Sequence, residues 1–262
     1  MSGKSVVITS ATRTAVGSLN RSLKNVPGFE LGSAVISDSI SKSNLKNEEV
    51  DEVIMGQVLT GGAGQNPARQ ASIHSGVPKE KPAFIVNQVC GSGIRSIASG
   101  FQSIKSGDSK IVIAGGQENM SLAPHAVHLR EGKKLGDTEM TDTMIKDGLW
   151  DAFHGYHMGI TAENVATKFQ VTRDQQDKFA LSSQQKALKA QKENKFKNEI
   201  VNFKIKSKKS EVNFNQDEHP RDGINLEALK RLKPVFKKDG TVTAGNASGI
   251  NDGAAAVTLM TE

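Results

Sequence analysis

The chain has 262 residues, 36% of them hydrophobic and 24% charged, which supplies apolar material for a core and sets it among globular chains. It carries 34 Lys and Arg against 28 Asp and Glu, a net +6, and its single cysteine excludes an intrachain disulfide, a CxxC pair and a Cys-rich zinc site. No apolar run approaches the ~18 residues of a membrane span, and MSGKSVVITS enters a strand-like stretch without a signal or transit pattern, so a cytoplasmic setting without a membrane partner is expected.

Ser5–Thr9 reads as a short buried strand, followed by a Gly- and Pro-containing connection and a helical stretch from about Glu30 to Ser43. Val53–Val58 is expected as a second strand. Gly61-Gly62-Ala63-Gly64 comes next, with Pro67 where a first helical turn tolerates it and a helix to about His74. Phe84–Val89 reads as a third strand. Gly91–Gly93 opens a helix whose apolar residues Ile94, Ile97, Ala98, Phe101 and Ile104 share one face at helical spacing. Ile111–Ala114 is a fourth strand, closed by Gly115-Gly116. Strands alternating with helices predict an α/β fold, a mixed, mostly parallel sheet with helices on both faces.

From about Asn119 to Asn246 the rhythm changes. Pro124 to Gly148 is irregular and polar, and Thr172 with Gln175 three residues on has the spacing of a capping box opening a helix to about Glu193. Ile200–Ile205 reads as a strand, followed by a polar loop to Asn225. Ala254–Met260 is an apolar strand that can rejoin the first sheet, which makes the middle stretch an insertion. Charge concentrates there: Lys186 to Lys238 hold 15 Lys and Arg against 7 Asp and Glu, a net +8, which leaves −2 for the remainder. Thirteen of those 15 are Lys, without interleaved Tyr or Trp to stack on bases, so a nucleic acid is not expected and a small phosphorylated ligand fits better.

Cys90 is the sharpest candidate for chemistry. It ends a hydrophobic strand and precedes a Gly-Ser-Gly entry into an amphipathic helix. Ligands of open α/β sheets gather at the carboxyl ends of strands, and unpaired N–H groups at a helix N-terminus favour a thiolate. Gly91 and Gly93 let backbone and ligand approach closely. The competing reading is a lone small cysteine that packs in the core.

The run Val86-Asn87-Gln88-Val89-Cys90-Gly91-Ser92-Gly93 resembles the nucleophile segment of the thiolases, the enzymes that join or split acyl-CoA thioesters. The resemblance extends along the chain, in order, through Gly61–Gln70, Gly115–Ser121, Asp151–Val165 and Thr243–Gly253. Tyr156-His157-Met158-Gly159 and Thr161-Ala162-Glu163-Asn164 are similar to the biosynthetic, short-chain type, which condenses two acetyl-CoA into acetoacetyl-CoA and coenzyme A and runs thiolysis in reverse. The resemblance implies a thiolase-like half (1–119 and 247–262) with an inserted α/β loop domain (120–246) that carries coenzyme A-binding and oligomerisation loops.

By the same resemblance Cys90 carries the acetyl group as a covalent intermediate, with its own N–H contributing to the oxyanion site. His157 and Met158 line the pantetheine end and help select short acyl chains. Ser248 and Gly249 match a loop that contacts pantetheine, and Ala244 in the same run is taken as substrate-binding with them. Arg221 and Phe236 fall where the family holds the adenine-nucleotide end of coenzyme A. The resemblance implies no cofactor, the thioesters being substrates, and no metal. It implies dimers or tetramers, the latter through about Ser121–Met144.

The family's second half supplies a histidine in Gly-His-Pro, an asparagine in Asn-Glu-Ala-Phe and a second cysteine in Cys-x-Gly-Gly-Gly. None of these occurs here: His219-Pro220 follows Glu218, and Cys90 has no second cysteine beside it. The expectation is therefore an N-terminal half whose C-terminal domain is absent: a truncated chain, one completed by a second chain, or an inactive relic. A non-catalytic coenzyme A-binding or subunit-interaction fragment and a broader-chain 3-ketoacyl-CoA thiolase are the alternatives, with a ketoacyl synthase ranked below them.

Overall fold

A computed structural model describes residues 5–206 and 211–262; Met1–Lys4, and Lys208 and Lys209 of the basic segment, lie outside the described residues. The framework is a sheet of β1 (Val6–Arg13), β2 (Gly17–Ser18), β3 (Glu52–Gly56), β4 (Ala83–Val86), β5 (Ile111–Asn119) and β12 (Asn251–Thr261), in the spatial order β1-β12-β5-β3-β4 with β2 paired to β12. β3 runs parallel to β4 and β5, the pairing that helical crossovers produce. β12, returning from the insertion, lies antiparallel between β1 and β5, so the sheet is mixed with its parallel part confined to one side.

Helices cover both faces because the strands alternate. Val53 and Met55 of β3, with Ile113 of β5, face α1 (Gly28–Lys42) and α2 (Pro67–His74), where Val35, Ile36, Ile40, Ala68 and Ala71 meet them. Ile54, Val112 and Ala114 face α3 (Ser92–Ser106), where Ile104 and Leu259 of β12 join them. Each fully buried aliphatic side chain of these clusters contributes roughly 1.5–3 kcal/mol by leaving water.

Three expectations need correction here. The expected apolar face of α3 is divided: Ile104 is buried and Ile97 packs against the same cluster, whereas Ile94 is 77% and Phe101 46% exposed, and Ser92, Ser96 and Gly100 complete the side against the sheet. Small residues win that side because the helix lies so close. A Cβ on Gly100 would meet Leu259 at 2.8 Å, and the Ser96 hydroxyl reaches the Gly115 carbonyl at 2.7 Å. β4 stops at Val86 instead of Val89, because its pairing with β3 ends at Gly56, and Val89 turns to a φ of +49°. β5 is not closed by Gly115-Gly116 and continues to Asn119, since Gly115 lets β12 approach where a Cβ would overlap the Ala255 carbonyl.

The insertion contains two short pairings, β6 (His125–Ala126) with β7 (Thr141–Asp142) and β8 (Trp150–Asp151) with β9 (Tyr156–His157), then α4 (Met158–Lys168) and α5 (Arg173–Lys192). The Thr172/Gln175 capping box forms as expected, Gln175 Oε1 accepting the Thr172 N–H at 2.8 Å. The expected strand at 200–205 sits at β10 (Phe203–Lys206), and its partner β11 (Glu211–Phe214) and the short α6 (Leu226–Lys230) occupy the expected loop. Arg13 ties the insertion to the sheet by pairing with Glu199 at 2.7 Å and Asp217 at 2.8 Å. No helix among the described residues is long and apolar enough to cross a membrane.

Candidate active site

A cavity of about 1110 Å³ opens where β3 and β5 end, bounded by the N-terminus of α3, the first turn of α4 and residues 247–250. This is the carboxyl end of the parallel strands, where an open α/β sheet leaves its crevice. Cys90 lines the cavity and is exposed, which removes the reading of a packed core cysteine.

The chain reaches that position through a tight turn. The Gly91 N–H donates to the Gln88 carbonyl at 3.1 Å and the Ser92 N–H to the Val89 carbonyl at 3.1 Å; the first helical bond runs from the Arg95 N–H to the Gly91 carbonyl at 2.9 Å. No side chain caps this helix end. The start of α3 rests on Gly56, where a Cβ would lie 2.6 Å from the Ser92 carbonyl carbon.

Opposite, His157 is the N-cap of α4. Its Nδ1 accepts the Gly159 N–H at 3.0 Å, so the neutral ring carries its proton on Nε2. The ring stacks on Phe236, centroids 4.8 Å apart and planes inclined by 18°. Gly159 makes room for that stack, since a Cβ there would overlap the Phe236 ring. Phe236, expected at the nucleotide end, thus stands beside His157 and Met158 in the cavity wall.

Ser248 and Gly249 form another part of the wall. Their loop is fastened by Asn246, whose Nδ2 donates to Asp177 Oδ1 at 2.9 Å and to the Thr241 carbonyl at 3.0 Å. Asp177 is fully buried and also accepts from Arg173 at 2.8 Å. Arg221 and Ala244 are exposed and stand outside the cavity wall, the Arg221 N–H donating to Gln184 Oε1 at 2.9 Å. Cys90, His157, Met158, Phe236, Ser248 and Gly249 are therefore brought together, and Arg221 and Ala244 are not.

Two wall residues escape sequence reasoning. Glu118 accepts the N–H groups of Val58 at 2.8 Å and Leu59 at 3.2 Å. Burial pushes its carboxyl above the usual range; the two N–H bonds oppose this, and the charge of Asp252 adds to it. Asp252 is buried and accepts from the Ser121 hydroxyl at 2.6 Å and the Ser121 N–H at 3.0 Å. Burial raises its carboxyl as well, against those bonds and with help from Glu218. The one signal available is an acidic residue flanking each apolar stretch, Glu118 after that of β5 and Asp252 before that of β12. Among the described residues no His, Cys, Asp and Glu are grouped to hold a metal ion, and no side chain hydrogen-bonds Cys90.

Comparison with known proteins bears on this arrangement. The family described as "Thiolase, N-terminal domain" matches residues 6–262. Over all 262 residues the chain is 58% identical to an acetyl-CoA acetyltransferase of Rhizobium meliloti (strain 1021), of which it covers 67%. It is 54% identical over 257 residues to the cytosolic acetyl-CoA acetyltransferase of Rattus norvegicus, covering 97% of this chain and 65% of that one. The crystal structure of the Bacillus anthracis acetyl-CoA acetyltransferase superposes with a TM-score of 0.96 at 42% identity, over 99% of this chain and 66% of that one. The chain spans about two thirds of the length of the relatives it matches.

Proposed function

Because this chain belongs to the thiolase family, we propose that it carries the acetyl-accepting part of an acetyl-CoA C-acetyltransferase. The observation that supports this reading is Cys90, exposed at the N-terminus of α3 and facing a cavity shared with His157 and Met158. The Cys90 thiolate attacks the carbonyl carbon of acetyl-CoA, coenzyme A leaves as the thiolate and takes up a proton, and acetyl-Cys90 remains. By the family resemblance the Cys90 N–H contributes to the oxyanion site, a reading compatible with the Gly91 and Ser92 N–H groups being engaged in the turn. Attack on acetyl-Cys90 by the α-carbanion of a second acetyl-CoA yields acetoacetyl-CoA and restores the thiolate; thiolysis is the reverse.

His157, Met158, Phe236, Ser248 and Gly249 are read as the acyl and pantetheine wall; Ala244 lies outside that wall and is assigned to substrate binding by the resemblance alone. Arg221 and the basic segment serve the phosphates of the nucleotide end, an Arg forming paired bonds to phosphate. The sequence divides functionally into a core of 1–119 and 247–262 and a loop domain of 120–246, which is also the part we assign to oligomerisation. No cofactor enters the scheme, and the rat and mouse relatives named cytosolic support a cytoplasmic setting.

The histidine and second cysteine that move protons in this family sit in motifs these 262 residues do not hold. Acetyl transfer to Cys90 is therefore expected of this chain, and condensation only with those groups supplied. A second reading, a coenzyme A-binding part without chemistry, is favoured by the lack of any side chain hydrogen-bonded to Cys90 among the described residues. Intact-protein mass after incubation with acetyl-CoA separates the two. Gain of one acetyl group, lost in Cys90→Ala, supports the enzyme; coenzyme A binding without acetylation supports the second reading.

A further inference from the structure

Resting on the reading of Cys90 as nucleophile, we infer that Ser92 is a positioning residue whose hydroxyl holds the left-handed turn at Val89 and so aims Cys90 into the cavity. Val89 has a φ of +49°, a region that β-branched residues enter only when something imposes it. Its side chain is 50% exposed, so core packing does not impose it. The bracing comes from Ser92, which is 4% exposed. Its Oγ accepts the Gln88 N–H at 2.9 Å and donates to the Val89 carbonyl at 2.6 Å, bonding the backbone on both sides of the strained residue. Asn87 Oδ1 adds a bond from the Val89 N–H at 2.9 Å. Ser92 is itself fixed against β3, where a Cβ on Gly56 would come within 2.7 Å of its own Cβ.

The consequence is directional. Along a strand successive side chains point to opposite faces, whereas Val89 and Cys90 both line the cavity. The left-handed residue makes that possible while α3 begins three residues later. Sequence spacing alone would assign Ser92 to an ordinary helix start.

Cys90 is the only cysteine, so iodoacetamide labelling reports on it alone, alongside acetyl transfer from acetyl-CoA. Ser92→Ala is expected to slow both about tenfold, through two lost hydrogen bonds. In a Val89→Gly background the same change is expected to cost less than about twofold, because glycine enters the left-handed region without a brace. Equal losses in both backgrounds, or no loss in a folded Ser92→Ala variant, overturn the assignment. Should Ser92→Ala fail to fold, the double variant decides: recovery of fold and labelling supports the brace, and continued failure overturns it. A parent chain that labels with iodoacetamide but takes no acetyl group sinks the proposed function, and the labelling ratios still decide the role of Ser92.

Discussion

Gly56→Ala tests the seat on which the nucleophile rests. A Cβ at Gly56 would lie 2.6 Å from the Ser92 carbonyl carbon and 2.7 Å from the Gly93 nitrogen, both main-chain atoms that cannot rotate away. Carbon contacts settle near 3.5–4.0 Å, so the start of α3 must retreat by about 1 Å. That retreat strains the bond from the Ser96 hydroxyl to the Gly115 carbonyl, now 2.7 Å, and opens the cluster of Ile54, Ile104, Val112, Ala114 and Leu259. Overpacking costs typically 1–3 kcal/mol, and a buried polar group left unpaired adds about 1–3 kcal/mol. A loss near 3 kcal/mol corresponds to a fall in Tm of roughly 6–12 °C for a chain of this size. Thermal unfolding followed by circular dichroism, with Cys90 labelling below the transition, measures both effects. Gly93→Ala is the control: on the same helix a Cβ there meets nothing within 4 Å, and alanine favours the helix by about 0.5–1 kcal/mol. A Gly56→Ala Tm within about 2 °C of the parent, or equal damage from Gly93→Ala, refutes the steric argument.

Gly159→Ala should push Phe236 off His157 and weaken coenzyme A binding several-fold, as expected for loss of a ring contact of ~0.5–1.5 kcal/mol; unchanged affinity by calorimetry would sever that stack from binding. Glu163 accepts the N–H groups of Val242 and Thr241 at 2.8 Å, and although burial opposes it, these bonds hold its carboxyl below the usual range. Its stabilisation is present above the ordinary carboxylate range and lost as pH falls through the depressed value, so the deficit of Glu163→Gln in urea midpoint should shrink in acid. Glu118 carries the opposite sign. Its raised carboxyl makes stability decline as pH climbs from the ordinary range through the raised value, and Glu118→Gln should flatten that decline. Parallel pH profiles for the parent and Glu118→Gln would show that Asp252 and burial do not act on it as argued.

What could be read from sequence was local. Pro67 opening α2, and Thr172 with Gln175 opening α5, are signals contained within one helical turn, and both helices begin where those residues say. Cys90 was legible for the same reason, because strand end, nucleophile and helix start are contiguous. The face of α3 was legible only in part: Ile97 and Ile104 do pack against the sheet, but spacing does not say how far the buried side turns away from Ile94 and Phe101. That was decided by approach: Ser96 and Gly100 admit β5 and β12 closely, and Ile94 and Phe101 are turned out. Val89 misled for a related reason. An apolar β-branched residue after Phe84–Val86 reads as more strand, yet hydrogen bonds from Ser92 and Asn87 outweigh that preference. Glu118 and Asp252 lie far apart in sequence and become neighbours only because Asp252 pairs with Asn119 across the β5–β12 ladder. Their raised carboxyls follow from that register, so any change that slips β12 against β5 alters the wall of the cavity at the same time as the sheet.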